Sequence, residues 1–468
     1  MNSNKKENAD NMNQNKPWKA AIMTLGCKVN QYESEAIAEA LEKHGFQIVP
    51  FDAEADVYII NTCTVTAESD RKACQMIRRA AARKTETDRK PAVLVTGCMA
   101  QTQPERAAGI EGVTYVCGSR NKLSCVDAAL AYVNETEHET VNVPTLDSLG
   151  METMSLHHTG LERTRAYIKI EDGCENRCTY CAIPNARGSV VSKRPDAVIS
   201  EMRDLVKNGY REIVLTGIET ASYGVDWKRS ADPELQAYRL IDLLEEVDRT
   251  FADQNIRIRL GSLEPTYMKP ETVSRMASLK LLTHHFHLSL QSGSSTVLGR
   301  MKRKYNIAQV RAILADIREK IPDVQFTTDI MTGFPQETEE EFAQTMAFAE
   351  EAQFLHVHVF PYSKRKNTPA DSMPGQLENA EKNRRANALI AKQNEIETEI
   401  YRRQAEQLSE SGKPILFLAE TYRDGVITGH TDNFLEVQIK SDQPIDREIR
   451  PIRIIGAQSA ALIGEMID

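Results

Sequence analysis

The sequence predicts an α/β protein in three parts: an N-terminal doubly wound parallel sheet, a central barrel of six βα units, and a small all-β module at the C-terminal end. Three observations carry this. Short apolar runs alternate with helical periods through two long stretches, the pattern of parallel strands covered by helices. A polar, acidic segment without sustained period separates the two series. The last stretch replaces helices with closely spaced strand runs and turn signals.

In chain order, residues 1–18 are rich in Asn and Lys and lack an apolar run, so they read as a disordered tail rather than a signal peptide. Residues 19–133 form the first domain, with strands at 20–25, 57–61 and 93–96 and helices at 32–44 and 71–83. Residues 134–160 read as a linker. The barrel spans 161–400, with strands at 166–170, 212–216, 256–260, 285–290, 325–330 and 355–360 and helices such as 196–208 and 307–320. Thr338 and Glu341 have the spacing of a capping box. Six βα units suit a barrel or open barrel whose site lies at the carboxyl ends of the strands. Residues 380–407 read as a long charged helix whose charges form a solvated face. The module at 401–468 has strand runs at 414–419, 424–428, 434–439 and 452–456.

The 468 residues, 41% hydrophobic and 27% charged, exclude a disordered chain. No apolar run approaches the ~18 residues of a membrane helix, so a cytoplasmic protein is expected. A net charge of −9 argues mildly against nucleic acid as a partner, although a basic stripe can sit on an acidic protein. Nine cysteines, an odd count without an export signal, point to metal or redox chemistry rather than a disulfide framework.

Cys27, Cys63 and Cys98 each follow a predicted strand of the first domain by one to three residues. The carboxyl edge of an open α/β sheet is where ligands bind, so three thiols there can converge; three buried structural cysteines are the competing reading. Cys74, Cys117 and Cys125 lack this placement and read as structural. Cys174-x3-Cys178-x2-Cys181 follows the first barrel strand and puts three thiols on one tight loop. Soft thiolates favour an iron–sulfur cluster or zinc. Three ligands leave one iron open for a substrate or cofactor. Zinc would need a fourth ligand, such as His284, His285 or His287. His356 and His358 alternate on the last barrel strand and read as wall or solvent residues.

The Cys174–Cys181 motif, with Tyr180 before its last cysteine, resembles the radical-SAM motif. The segment Asp172-Gly173-Cys174-Glu175-Asn176-Arg177-Cys178-Thr179-Tyr180-Cys181-Ala182-Ile183-Pro184 resembles the methylthiotransferase branch. So do Gly26-Cys27-Lys28-Val29-Asn30-Gln31-Tyr32-Glu33-Ser34, Thr62-Cys63-Thr64-Val65-Thr66 and Gly97-Cys98-Met99-Ala100-Gln101. The resemblance runs from about residue 19 to the end, where the β module resembles the TRAM RNA-binding domain. The Gly-Cys-Lys-Val-Asn loop looks like the members acting on N6-threonylcarbamoyladenosine at tRNA position 37. The same chemistry on isopentenyl-adenosine is the alternative, and a non-catalytic, metal-dependent RNA-binding protein is the alternative from another class.

The resemblance implies two [4Fe–4S] clusters. Cys174, Cys178 and Cys181 would hold the radical-SAM cluster that binds S-adenosylmethionine (SAM), and Cys27, Cys63 and Cys98 the auxiliary cluster that carries the inserted sulfur. Two SAM per turnover, one methylating the sulfur and one generating the radical that activates C2–H, would give the 2-methylthio product. An external flavodoxin- or ferredoxin-like electron donor and a sulfur donor are implied. By matched position, Thr216 and Gly217 would meet the methionine ammonium through their backbone. Ser262 and Glu264 would meet the ribose and ammonium, Gln291 and Tyr180 would contact SAM, and Phe334 would lie against adenine. Glu219 is left unassigned. Arg177, Arg187 or Arg194 could pair with the threonyl carboxylate.

Basic groups stand at Arg78-Arg79 with Arg83-Lys84, at Arg300 with Lys302-Arg303-Lys304, and at Lys364-Arg365-Lys366. The last two follow barrel strands, where a basic rim would neutralise tRNA phosphates; Arg303, Lys364 and Arg365 are the candidates. Tyr422, Arg423, His430, Asn433 and Phe434 in the β module suit unstacked anticodon-loop bases.

Overall fold

A computed structural model describes residues 17–84, 90–157, 164–444 and 447–467. Residues 1–16 of the expected tail lie outside the described residues, as do positions 158–160 of the expected linker. The described chain forms two compact units, one of residues up to 156 together with 185–187, the other of 157–184 and 188 onward.

The first unit is a six-stranded sheet: β1 (Lys19–Thr24), β2 (Gln47–Val49), β3 (Val57–Thr62), β4 (Ala92–Gly97), β5 (Tyr115–Cys117) and β6 (Val141–Asn142). Its order is β2-β1-β3-β4-β5-β6 and every pairing is parallel. β3 and β4 are buried along their whole length, as strands covered on both faces must be. The order reverses between β1 and β3, which opens a crevice at their carboxyl ends. The aperiodic stretch after residue 134 is docked rather than loose. It supplies the edge strand β6, buries Met154 and Leu156, and gives the Met154 carbonyl to the Tyr32 hydroxyl at 2.9 Å.

The second unit holds β7 (Arg165–Lys169), the short β8 (Glu171–Asp172) and β9 (Val191–Ser192), then β10 (Glu212–Thr216), β11 (Arg257–Leu260), β12 (His285–Gln291), β13 (Gln325–Thr332) and β14 (His356–Pro361). Parallel ladders join β7-β10-β11 and β12-β13-β14. The backbone of Leu263 bonds to His287 and Ser289 at 2.9 Å and links the two halves. The result is the expected open six-stranded barrel. The Thr338–Glu341 capping box forms in both directions.

Helix Asn379–Ser411 buries Leu389, Gln393, Ile396, Ile400, Tyr401 and Ala405, and with them two of its charged residues, Lys382 and Arg385. That buried side was hidden by the charge count. Ile396, Ile400 and Tyr401 share a core with Phe417, Val437 and Leu462 of the closed barrel β15 (Ile415–Arg423), β16 (Val426–Thr431), β17 (Glu436–Lys440), β18 (Ile449–Gln458) and β19 (Ala461–Met466). The fifth strand, β19, had no signal of its own.

One buried layer closes the amino ends of the large barrel's strands. The register sets Glu212 opposite Arg165 on one side and Arg257 on the other. Glu212 accepts from Arg257 Nε at 2.5 Å and Arg259 Nε at 2.8 Å, and forms an ion pair with Arg165 Nε at 2.9 Å. Burial alone would raise its carboxyl, but the three guanidinium groups hold it well below the usual range. Phe434, from the loop after β16, stacks between His285 at 4.4 Å and His430 at 4.8 Å, with Arg165 and Arg259 over the ring.

Candidate functional site: two cysteine triads

In the first unit the cysteines flank the crevice. Cys27 follows β1 and opens helix Lys28–Lys43, Cys63 directly follows β3, and Cys98 directly follows β4. Two glycines let these loops close up. A Cβ on Gly26 would stand 2.9 Å from Cys63 Cβ, and one on Gly97 would stand 2.4 Å from the Thr62 carbonyl; both residues have positive φ. Asn30 Nδ2 donates to the carbonyls of Leu25 at 2.7 Å and Thr62 at 3.0 Å, tying the ends of β1 and β3. Burial raises the Cys63 thiol to about 11, and the neighbouring Cys98 and Cys27 add to the effect.

Beneath the thiols lies a fully buried ionic group. Glu33 pairs with Lys122, and Arg187 Nη1 donates to Glu33 Oε1 at 2.7 Å. Arg187 also donates to Asn30 Oδ1, and its Nε reaches Cys98 Sγ at 3.3 Å. Arg187 is therefore committed inside the first unit and not available to a substrate carboxylate. Arg177 and Arg194 are exposed. Sequence reading left Glu33 and Lys122 without a role. Lys122 lies in the loop after β5, the same carboxyl edge as the cysteines, and that placement was the available signal.

In the second unit, Cys174, Cys178 and Cys181 lie on the loop between β8 and β9. Cys174 N–H bonds the Gly188 carbonyl at 3.0 Å, and Cys181 N–H the Cys178 carbonyl at 3.1 Å. Thr179 anchors the loop: its N–H donates to Met301 O at 3.1 Å and its carbonyl accepts from Ala370 N at 2.8 Å. Burial pushes the Cys174 thiol up to about 12 and Cys181 to about 11, so ligation must release protons.

Acidic groups surround this loop. Glu219 Oε1 accepts from Glu264 N at 3.0 Å, and Glu264 Oε2 from Asn176 Nδ2 at 3.1 Å. Glu171 Oε2 accepts from Glu219 N at 2.9 Å and braces the turn at Gly217, where a Cβ would stand 2.4 Å from that oxygen. The other oxygen of Glu171, Oε1, is buried with no hydrogen-bond partner among the described residues. Burial and the Glu264 charge raise Glu219 to about 7. A cation at this loop is Arg303, whose Nη1 reaches Cys178 Sγ at 3.2 Å and whose Nη2 lies 3.6 Å from Glu264.

Thr216, Glu264 and Gln291 are buried at the carboxyl ends of β10, β11 and β12, and Ser262 and Tyr180 are half-buried. Four expectations need correction. Arg303 is not a rim cation; it is buried against Cys178. Arg365 is buried as well. Phe334 is wholly enclosed, edge-on to Tyr362, because the apolar cluster of Val297, Met301 and Met331 takes up its ring. Phe434, with His430 and Asn433, serves the seam with the large barrel: Asn433 Nδ2 donates to the Asp323 carbonyl at 2.8 Å. Lys364, Tyr422 and Arg423 are exposed.

Among the described residues, no group of three or more His, Cys, Asp or Glu is disposed to hold a single metal ion. A cubane binds its thiolates at separate irons and asks for a wider triad. His284, His285 and His287 bond Asp323 and Thr327 at the amino end of β12, away from the cysteine loop, so they do not complete a zinc site. Soft thiolates, and an acidic recess in which Glu264, bonded to Asn176 of the cysteine loop, can receive an ammonium, fit an iron–sulfur cluster and SAM.

A three-cysteine loop after the first strand of an open (β/α)6 barrel, with ligand-bearing loops at the strands' carboxyl ends, defines a radical-SAM enzyme. Residues 168–349 match the Radical SAM superfamily, and residues 19–118 match a family described as uncharacterized protein family UPF0004. The chain is 37% identical over 93% of its length, and 94% of the relative's, to threonylcarbamoyladenosine tRNA methylthiotransferase MtaB of Bacillus subtilis. It is 36% identical to the MtaB of Thermotoga maritima over 89% of this chain and 90% of the relative. It is 30% identical over 96% of its length, and 95% of the relative's, to a tRNA-2-methylthio-N(6)-dimethylallyladenosine synthase of Clostridium botulinum. The radical SAM methyltransferase TsrM of Kitasatospora setae shares the fold, with a TM-score of 0.55 at 14% identity, covering 76% of this chain and 77% of that one. The chain belongs to the radical-SAM methylthiotransferase family, and its cofactors are SAM and [4Fe–4S] clusters.

Proposed function

We propose that the chain methylthiolates C2 of N6-threonylcarbamoyladenosine at position 37 of tRNA. The observation that carries this is 37% identity across 93% of the chain to a relative of that name, in a sequence holding both cysteine triads. In this reading Cys174, Cys178 and Cys181 hold one cluster and Cys27, Cys63 and Cys98 the other. When bound, the clusters and SAM supply the radical and the sulfur. The chain supplies binding and orientation. Glu264, braced by Asn176 and Glu219, receives the methionine ammonium together with the backbone of Thr216 and Gly217. Ser262 faces the ribose, and Gln291 and Tyr180 flank it. Arg177 and Arg194 remain as partners for the threonyl carboxylate.

Exposed Lys364 and Arg423 contact tRNA phosphates in this reading, the C-terminal β-barrel acting as the RNA module. An external flavodoxin- or ferredoxin-like donor supplies electrons, and a separate donor supplies sulfur. The reaction belongs to the cytoplasm, where tRNA is modified; no helix among the described residues is long and apolar enough to cross a membrane.

The test is mass spectrometry of nucleosides after reaction of the reconstituted chain with SAM, reductant and matched tRNAs carrying threonylcarbamoyl- or isopentenyl-adenosine. A methylthio gain on the former alone is expected. A gain on the latter alone overturns the substrate assignment. No gain on either, with deoxyadenosine released, overturns the substrate class.

A further inference from the structure

We infer that Arg187 is a positioning and charge-setting residue for the cluster held by Cys27, Cys63 and Cys98; this rests on the reading of those cysteines as cluster ligands. Arg187 has no solvent exposure, and its guanidinium plane is fixed by Glu33 at 2.7 and 3.1 Å and by Asn30. So held, it aims Nε at Cys98 Sγ, 3.3 Å away. Arg187 also acts electrostatically on Cys27. Asn30, its second anchor, ties the ends of β1 and β3 on either side of the crevice. One side chain therefore reaches the supports of all three ligand loops.

The charge count gives the direction. Glu33, Lys122 and Arg187 are wholly buried and carry one negative and two positive formal charges. Of these charges, the positive one of Arg187 is the one that meets a cysteine sulfur. In a buried setting it favours the more negative, reduced form of whatever the sulfurs hold, and a hydrogen bond to a ligand sulfur acts in the same direction. A purely structural ion pair needs only Glu33 and one cation. The second cation, aimed at sulfur, is what a structural reading does not require.

The test uses the full chain carrying Cys174→Ala, Cys178→Ala and Cys181→Ala, so that only the first-unit cluster can assemble. Iron and sulfide content, the EPR signal of the reduced cluster and its midpoint potential are measured for this parent, for Arg187→Met and for Glu33→Gln. Arg187→Met removes one positive charge and the sulfur contact; the reduction equilibrium should fall at least tenfold, about 59 mV more negative for a one-electron couple. Glu33→Gln removes the negative charge in an isosteric side chain and should move the potential the other way. If Arg187→Met fails to fold, Glu33→Gln carries the test. Potentials and EPR signals equal to the parent's overturn the inference and leave the cluster assignment standing. A parent that assembles no cluster overturns the assignment, and the inference with it.

Discussion

Glu212→Gln should weaken the chain at the end of the barrel opposite its chemistry. The substitution keeps shape and removes one charge from a layer in which Glu212 and Arg259 are nearly inaccessible. Arg165 would keep its bond to Glu420, while Arg257 and Arg259 would keep the carbonyls of His430 and Asp432, at 3.2 and 3.3 Å, and share the one amide oxygen of the glutamine in place of two carboxylate oxygens. The Nη1 atoms of Arg257 and Arg259 already lack hydrogen-bond partners, so the layer has no spare acceptor. Breaking a buried ionic network by removing one partner costs about 3–5 kcal/mol. At roughly 2 °C per kcal/mol for a unit of this size, Tm falls by about 6–10 °C. Calorimetry of the metal-free chain at neutral pH reads this directly. The double variant Glu212→Gln, Arg259→Met should recover part of the loss, since an apolar replacement removes one stranded charge. A fall of less than about 2 °C in the single variant would show that water or rearrangement satisfies the arginines and would refute the argument.

Gly97→Ala places a Cβ 2.4 Å from the Thr62 carbonyl at φ +98 and should lower the urea midpoint markedly, while Gly45→Ala, at φ +84 with open space, should cost only the roughly 1–3 kcal/mol of backbone strain. Glu219, raised from 4.5 to about 7 by burial and by Glu264, holds its proton more tightly in the folded chain. Folding stability of the metal-free protein should therefore fall as pH rises from about 4.5 toward 7 and then level off, a slope that Glu219→Gln removes in urea titrations at several pH values. Lys364→Gln and Arg423→Gln should each weaken tRNA binding and reduce the slope of log K against log salt by about one, measured by filter binding across salt concentrations; an unchanged slope would take that residue off the RNA surface.

The βα alternation located β1, β3 and β4 of the first sheet and the six long strands of the large barrel from their apolar runs, and the cysteines could be placed at strand ends from those runs; β2, β5 and β6, two or three residues each, offered no such run. What failed follows from the same physics. Arg303 looks like one of three cations beside Lys302 and Lys304, and only the fold reveals that its neighbours are Cys178 and Glu264. Phe434 looks like a base-stacking aromatic, yet it is stacked by two histidines from separate strands. Glu33, Lys122 and Arg187 are charged residues far apart in sequence, and no periodicity marks a charge that is buried only because its partner is. Strand β19, Ala461–Met466, has its apolar run broken by Gly464 and Glu465.

The membership of residues 185–187 in the first unit has a consequence for how the chain is made. A ribosome delivers the sheet, Cys27, Cys63 and Cys98, and the Glu33–Lys122 pair well before Arg187 emerges. At about 5–20 residues per second, the interval between residue 156 and residue 187 is some 2–6 s. During that time the nascent sheet lacks the cation that fixes Asn30 and touches Cys98. The residue that completes it arrives only after Cys174, Cys178 and Cys181 have been translated. Vectorial synthesis thus lets the Arg187–Cys98 contact form only after both sets of cysteines have been translated.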